Sequence, residues 1–315
     1  NDPERGVFIL MIMGFFMGGA LVLFALRAGA MEARGVFGMV SRESALVANN
    51  LLLAVSCFVV CVGTMWPLVA EMFFDRKLSV GPPFFNMAFT PFMVILGLIL
   101  PIGAMIPWKR GQIGRAMRPL RYVFVLALAF GGLAWAMNTG KPLTGPLGAF
   151  LGAWLVMGAM VDLASRTGQK FDFGRLWRLP RADWGKTGAH AVRGVTMIGV
   201  AGLTAWQTED IRVAQVGEQF NVGGYDLTLD AVENVEGPNY LSTMAFITLS
   251  RNGDEIAQLR PEKRIYPVAQ MPTTEAGIDY DLARDVYVVI GDEQVNGGWA
   301  VRTYIKPLTN WIWIG

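Results

Sequence analysis

The spacing of apolar and polar positions divides the chain in two. Over residues 1–206 apolar side chains come in long, nearly unbroken runs, and a helix that crosses a membrane needs ~20 of them. Six runs are predicted to span, at about 7–27, 45–70, 88–108, 121–138, 143–164 and 187–206. From about residue 211 to 305 the period changes to two. Tyr225-Asp226-Leu227-Thr228-Leu229-Asp230-Ala231-Val232 alternates, Met244 to Leu249 is β-prone, and Arg264-Ile265-Tyr266-Pro267-Val268 and Val286-Tyr287-Val288-Val289-Ile290 are further strand-like runs. Asn252-Gly253 between two such runs is a strong hairpin signal. Together these segments predict a small β-sandwich or barrel. Trp311-Ile312-Trp313-Ile314-Gly315 then begins another apolar run.

The expected fold class is a multi-span α-helical membrane protein with a small all-β domain outside the membrane. Its parts are a six-helix transmembrane region (1–206), the β domain (207–305) and the start of a final transmembrane helix (306–315). The first residue is Asn1, and the last apolar run is short, so both ends read as cut from a longer polypeptide. No signal peptide is read in the six-residue segment before the first run, which carries charges of both signs.

Composition agrees. Apolar residues make up 53% of the 315 and charged residues 17%, the latter against ~25% in soluble domains. That excludes a disordered chain and an ordinary cytosolic enzyme. A net charge of +2 offers no phosphate-neutralising face for nucleic acid. Two cysteines and one histidine exclude a disulfide scaffold and a self-contained zinc site.

Charge also orients the chain. Residues 1–206 are net basic and residues 207–315 net acidic. Three alternate loops (residues 27–42, 109–121 and 166–186) hold 14 Lys and Arg, whereas the loops on the other side hold 4: Arg5, Arg76, Lys77 and Lys141. The richer side is the cytoplasm. Six crossings then leave the acidic β domain outside, in the periplasm of a bacterium.

Few residues suggest chemistry. Cys57 and Cys61 share a helix face in the second span, where they read as small hydrophobes rather than a redox pair. His190 stands near the cytoplasmic start of the sixth span, among Gly188, Ala189, Ala191 and Gly194. Ionisable residues in membranes are costly and usually functional. The residues alone leave open an axial or metal ligand, an interhelical hydrogen bond, or neither. Arg193 is one turn on; it reads as snorkelling or as a charge partner for a carboxylate. Ser41-Arg42-Glu43-Ser44 can cap the second span, with Glu43 suited to the helix dipole. Asn49 and Asn50 exceed what a cap needs, so contact with protein or a polar ligand is expected. Gly81-Pro82-Pro83-Phe84-Phe85-Asn86 is expected to be a stiff aromatic loop, either at the membrane surface or walling a planar hydrophobic substrate. The 16 carboxylates of residues 207–315 read as a solvated surface or a docking face for a basic partner.

Several blocks resemble the CcmF family of bacterial cytochrome c maturation. They are Ser41-Arg42-Glu43-Ser44 with Asn49-Asn50, and Ser79-Val80-Gly81-Pro82-Pro83-Phe84-Phe85-Asn86. In the β region they are Glu262-Lys263-Arg264-Ile265-Tyr266, Thr274-Glu275-Ala276-Gly277-Ile278-Asp279 and Arg284-Asp285-Val286-Tyr287. Near the end are Asn296-Gly297-Gly298-Trp299-Ala300-Val301-Arg302, Lys306-Pro307-Leu308 and Trp311-Ile312-Trp313. The resemblance runs the length of the chain and implies the C-terminal half of a protein about twice as long. It implies a haem lyase in the bacterial inner membrane that joins haem covalently to the CxxCH thiols of apocytochrome c in the periplasm. It further implies haem b as cofactor, with His190 as one of its two transmembrane iron ligands. The partners implied are CcmH, CcmE carrying haem, and apocytochrome c. Arg193 departs from what the resemblance leads one to expect beside that ligand, so a propionate contact there has no support from it. No catalytic residue is assigned. One histidine where the family uses four haem ligands keeps a second reading open, a non-catalytic scaffold or haem-transfer subunit whose β domain docks partners. The segment alone is expected to be inactive.

Overall fold

The computed structural model describes residues 3–31, 36–137, 143–168, 171–268, 271–295 and 297–315. Asn1, Asp2, Arg34, Lys141, Lys170 and Asn296, all used in reading the sequence, lie outside the described residues. The helices are α1 (Pro3–Arg27), α2 (Arg42–Phe74), α3 (Pro82–Met105), α4 (Ile113–Ala136), α5 (Thr144–Ser165), the short α6 (Phe173–Leu176), α7 (Arg181–Trp206) and α8 (Thr309–Ile314).

Among the described residues five helical segments are long and apolar enough to cross a membrane: Leu10–Ala30 and the helices α2, α3, α4 and α5. The sixth predicted run is helical, as α7, yet falls outside that set. Its apolar residues are diluted by Asp183, Lys186, His190 and Arg193 and by many Gly, Ala and Thr. Small side chains hold it in place instead. A Cβ at Gly145 would stand 2.5 Å from that of Ala205, and one at Gly152 would stand 2.7 Å from the Gly194 carbonyl oxygen. Backbones this close gain dispersion contacts that bulky residues would forbid.

The ends of α2 and α3 explain two of the sequence blocks. Ser41 is extended, and its hydroxyl accepts from the Ser44 N–H at 3.1 Å, capping α2. Arg42 turns the other way, donating to the Ala104 carbonyl at 2.9 Å and the Ile106 carbonyl at 3.1 Å. Glu43 accepts from the Lys109 N–H at 2.9 Å. The block therefore caps one helix and ties down the end of another. The aromatic block is not a loop: Pro82 and Pro83 occupy the first turn of α3, where a missing N–H and a fixed φ are no handicap. Phe84 and Phe85 pack on Gly63 of α2, where a Cβ would lie 2.5 Å from the Phe84 ring. Cys57 and Cys61 are free thiols facing outward from α2, beside Phe89 and Met93 of α3.

Trp154 of α5 fills the seam with α3 and α4. Its Nε1 donates to the Leu98 carbonyl at 3.2 Å, and its ring meets Phe124 edge-on at 5.4 Å, with Leu120 and Ala127 fully buried beside it.

The β domain holds β1 (Thr208–Ala214), β2 (Gln219–Val222), β3 (Tyr225–Glu236), β4 (Leu241–Arg251), β5 (Asp254–Leu259), β6 (Glu262–Tyr266), β7 (Met271–Glu275), β8 (Gly277–Tyr280), β9 (Arg284–Glu293) and β10 (Trp299–Pro307). One sheet runs β1-β10-β9-β8; the other runs β2-β3-β4-β6-β7, with β5 on β4. Alternate residues Leu227, Leu229, Ile247 and Leu249 face Val286, Val288, Ile290 and Val301 across a dry core. Asn252 (φ 54°) and Gly253 (φ 90°) make the β4–β5 turn, as the dipeptide predicts. Beyond β10, Leu308 at φ 56° turns the chain into α8. That helix lies against α7, where Gly199 and Gly202 leave room for Ile312 and Leu308.

Candidate functional site

A cleft of about 520 Å³ opens between α3, α5 and α7. Its walls are apolar, including Phe89, Met93, Leu151, Leu155, Met197 and Val200. Asn86, Thr144 and Thr204 line the end near the β domain, and Arg193 lines the other. The volume lies within the ~300–1,000 Å³ of small-molecule sites, and the pattern of greasy walls with a few polar groups is theirs too.

Arg193 is exposed and makes no ion pair among the described residues. At about 100° per residue, His190 falls close to the Met197 direction, seven residues earlier. It therefore continues the cleft stripe of α7 one turn beyond Arg193. The imidazole is half-buried but is not among the residues that line the cleft. Asn49 and Asn50 are not brought to the cleft either. They bond to each other, the Asn49 amide donating to the Asn50 carbonyl oxygen at 3.2 Å, and Asn50 is exposed. Leu53, one turn further along α2, does line the cleft.

One group here escaped the reading of the sequence. Asp162 is a 3% exposed carboxylate inside the apolar α5. It pairs with Lys186 of α7 and with Arg166, the latter at 3.5 Å. Arg166 reaches on to Asp183 of α7 at 2.5 Å. Two carboxylates and two cations thus bolt the C-terminal end of α5 to the N-terminal end of α7. His190 stands one turn above Lys186, between this cluster and the arginine end of the cleft. The signal was present: a lone Asp within the run 143–164 is costly in a membrane unless paired.

The β domain has a separate polar cluster. Glu262, 6% exposed, accepts from the Ser242 hydroxyl and from Arg264. The guanidinium beside it holds its carboxyl below the usual carboxylate range, with Ser242 adding to the effect. Arg264 also lies 4.4 Å over the Tyr240 ring. Among the described residues no group of three or more His, Cys, Asp or Glu is placed to hold a metal ion.

Comparison with known proteins gives these features a context. The family described as CcmF C-terminal beta-sandwich matches residues 205–307. The chain is 58% identical over 315 residues to the cytochrome c-type biogenesis protein ccl1 of Rhodobacter capsulatus, covering all of this chain and 48% of that protein. It is 36% identical over 319 residues to the cytochrome c-type biogenesis protein CcmF of Escherichia coli, again covering all of this chain and 48% of the other. A solved structure named cytochrome c heme lyase CcmF has the same fold, with a TM-score of 0.72 at 22% identity, over all of this chain and 49% of that one. The chain spans about half the length of the relatives it matches.

Proposed function

The chain belongs to the CcmF family as the C-terminal region of its proteins, and from that premise we propose that it forms one half of a membrane haem lyase. In this reading His190 would hold the iron of a haem b, and Arg193 would meet an acid group of the macrocycle. The observation that carries the reading is the placement of the only histidine one turn past the arginine end of an apolar cleft. A half-buried imidazole, a cation without a carboxylate and apolar walls fit a planar, mostly apolar, acidic group.

When bound, the haem would supply an electron that keeps the substrate's haem iron ferrous. The chain's own residues do the rest. His190 would hold the iron, Arg193 would orient the acid group, and the walls from α3, α5 and α7 would exclude water. The Asp162 cluster fixes the register of α7 on α5. This chain has no second histidine that would hold the iron, so the segment alone would be inactive. Taken as a sixth crossing, α7 puts the β domain on the periplasmic side of the inner membrane, consistent with the Lys and Arg asymmetry. There it would meet CcmE carrying haem, CcmH and apocytochrome c, whose CxxCH thiols add to the haem vinyl groups.

One observation favours the scaffold reading: Ile211, Ile278 and Tyr280 are exposed on the outer face of the four-stranded sheet, suited to docking a partner. The two readings part on His190→Ala in the full-length protein. The lyase reading expects loss of the b-type absorbance and of holocytochrome c. Survival of both would leave the scaffold.

A further inference from the structure

The segment joining α5 to α7 is rich in both rings and cations that the proposed function does not use. Phe171, Phe173 and Trp177 are 60%, 64% and 70% exposed. They form a chain of edge contacts at 6.3 and 6.2 Å, and Trp177 stacks on Trp184 at 5.9 Å. No core covers them. Beside them Arg166, Arg175 and Arg178 line a pocket of about 700 Å³, with Asp172 the one carboxylate among the described residues of its wall. That carboxylate is engaged in capping, accepting from the Gly174 N–H at 2.8 Å and the Arg175 N–H at 3.1 Å. Arg166 is engaged with Asp162 and Asp183. Among the described residues the Arg175 side chain donates to the Thr167 carbonyl, at 3.2 Å, and neither Arg175 nor Arg178 has an ion pair. Two guanidiniums therefore face a roomy pocket whose described lining carries three arginines against the single Asp172 carboxylate, an excess of positive charge.

We propose that this segment is a membrane-surface anchor, in which Arg175 and Arg178 hold the phosphate of an anionic phospholipid while Phe171, Phe173 and Trp177 sink between its neighbours. The position fits, because the segment joins the ends of two packed helices at the water boundary of the helical region. An indole settles at that depth, phenyl rings beside it insert toward the acyl chains, and cations there attract acidic headgroups. A free phosphate would use the guanidiniums but leave the exposed rings in water. A zwitterionic lipid would bring its own ammonium against the arginines.

The test is native mass spectrometry of the full-length protein in detergent, with equal amounts of phosphatidylglycerol and phosphatidylcholine. The wild type is expected to keep phosphatidylglycerol by about tenfold or more over phosphatidylcholine. Arg175→Gln with Arg178→Gln should erase the preference. Arg178→Gln alone, at an exposed side chain without an ion pair, should halve it or more while leaving the helical circular dichroism intact. Phe173→Ala with Trp177→Ala should lower retention of both lipids. Millimolar inorganic phosphate should displace nothing. Equal retention of the two lipids by the wild type, an undiminished preference in the arginine variants, or displacement by inorganic phosphate would overturn the proposal.

Discussion

Gly152 of α5 and Gly194 of α7 approach so closely that a Cβ on either would sit 2.7 Å from the other's carbonyl oxygen. This contact sets the distance between the two helices that carry the cleft wall and the ion cluster. Gly152→Ala or Gly194→Ala must push the backbones apart, at the ~1–3 kcal/mol typical of overpacking. Because each displaces the same pair of helices, the double variant should cost less than the sum of the two. Thermal unfolding in detergent measures both effects; full additivity would mean that the helices do not move as one contact.

Asp162→Asn leaves Lys186 and Arg166 with a weaker partner inside the helical region. Loss of one member of a buried pair costs ~3–5 kcal/mol, and the effect here should fall below that, because Lys186 and Arg166 keep 29% and 28% side-chain exposure. Pairing the change with Lys186→Met should recover part of the loss, since no cation is then stranded on α7. A melt of the double variant no higher than that of the single one would argue against the pairing.

In the sandwich, Arg284 reaches from β9 to the Tyr225 hydroxyl on β3, donating through Nε at 3.0 Å. The same guanidinium pairs with Asp279 of β8. Tyr225→Phe removes one charge-assisted bond between the two sheets and should cost ~1.5–3 kcal/mol in denaturant unfolding followed by a β-sheet signal.

Glu262 makes the β domain sensitive to acid. Its folded pKa is depressed by Arg264, so its contribution to stability is full above the ordinary value of 4.5 and is lost as pH falls through the lower folded value. Glu262→Gln should flatten that part of the stability–pH curve and lower the plateau above it. Unfolding midpoints taken from pH 7 down to pH 3 read both changes.

The two-part organisation was legible because each part carries its own period. Residues 225–230 alternate in sequence and in burial, until a bulge after Leu229 breaks the period, and Asn252-Gly253 turns where its backbone preference says. What pattern could not supply were relations between distant segments. Pro82 and Pro83 read as a loop because proline breaks helices, yet in the first turn they begin one. Asn49 and Asn50 were expected to contact protein or a polar ligand, and the contact between them, the Asn49 side-chain amide donating to the Asn50 side-chain oxygen, is one that hydropathy does not encode. Asp162 was hidden because its partners Arg166 and Lys186 lie on either side of a connection that a hydropathy reading treats as loop charge. His190 was legible as the one imidazole, but the cleft that gives it a neighbourhood exists only once α3, α5 and α7 are packed.

That neighbourhood separates the roles of His190 and Arg193 in the proposed haem site. His190→Ala should abolish b-type absorbance in the full-length protein, because no other histidine of this chain can replace it. Arg193→Gln should keep the absorbance, since the imidazole remains. It should lower the reduction potential, because a cation lining the cleft favours the more electron-rich form of any group beside it. Arg193→Lys keeps the charge and should keep most of the potential. A potentiometric titration of the three variants distinguishes charge from packing. A potential in Arg193→Gln equal to that of the wild type would place the haem away from the cleft and leave Arg193 to the lipid headgroups.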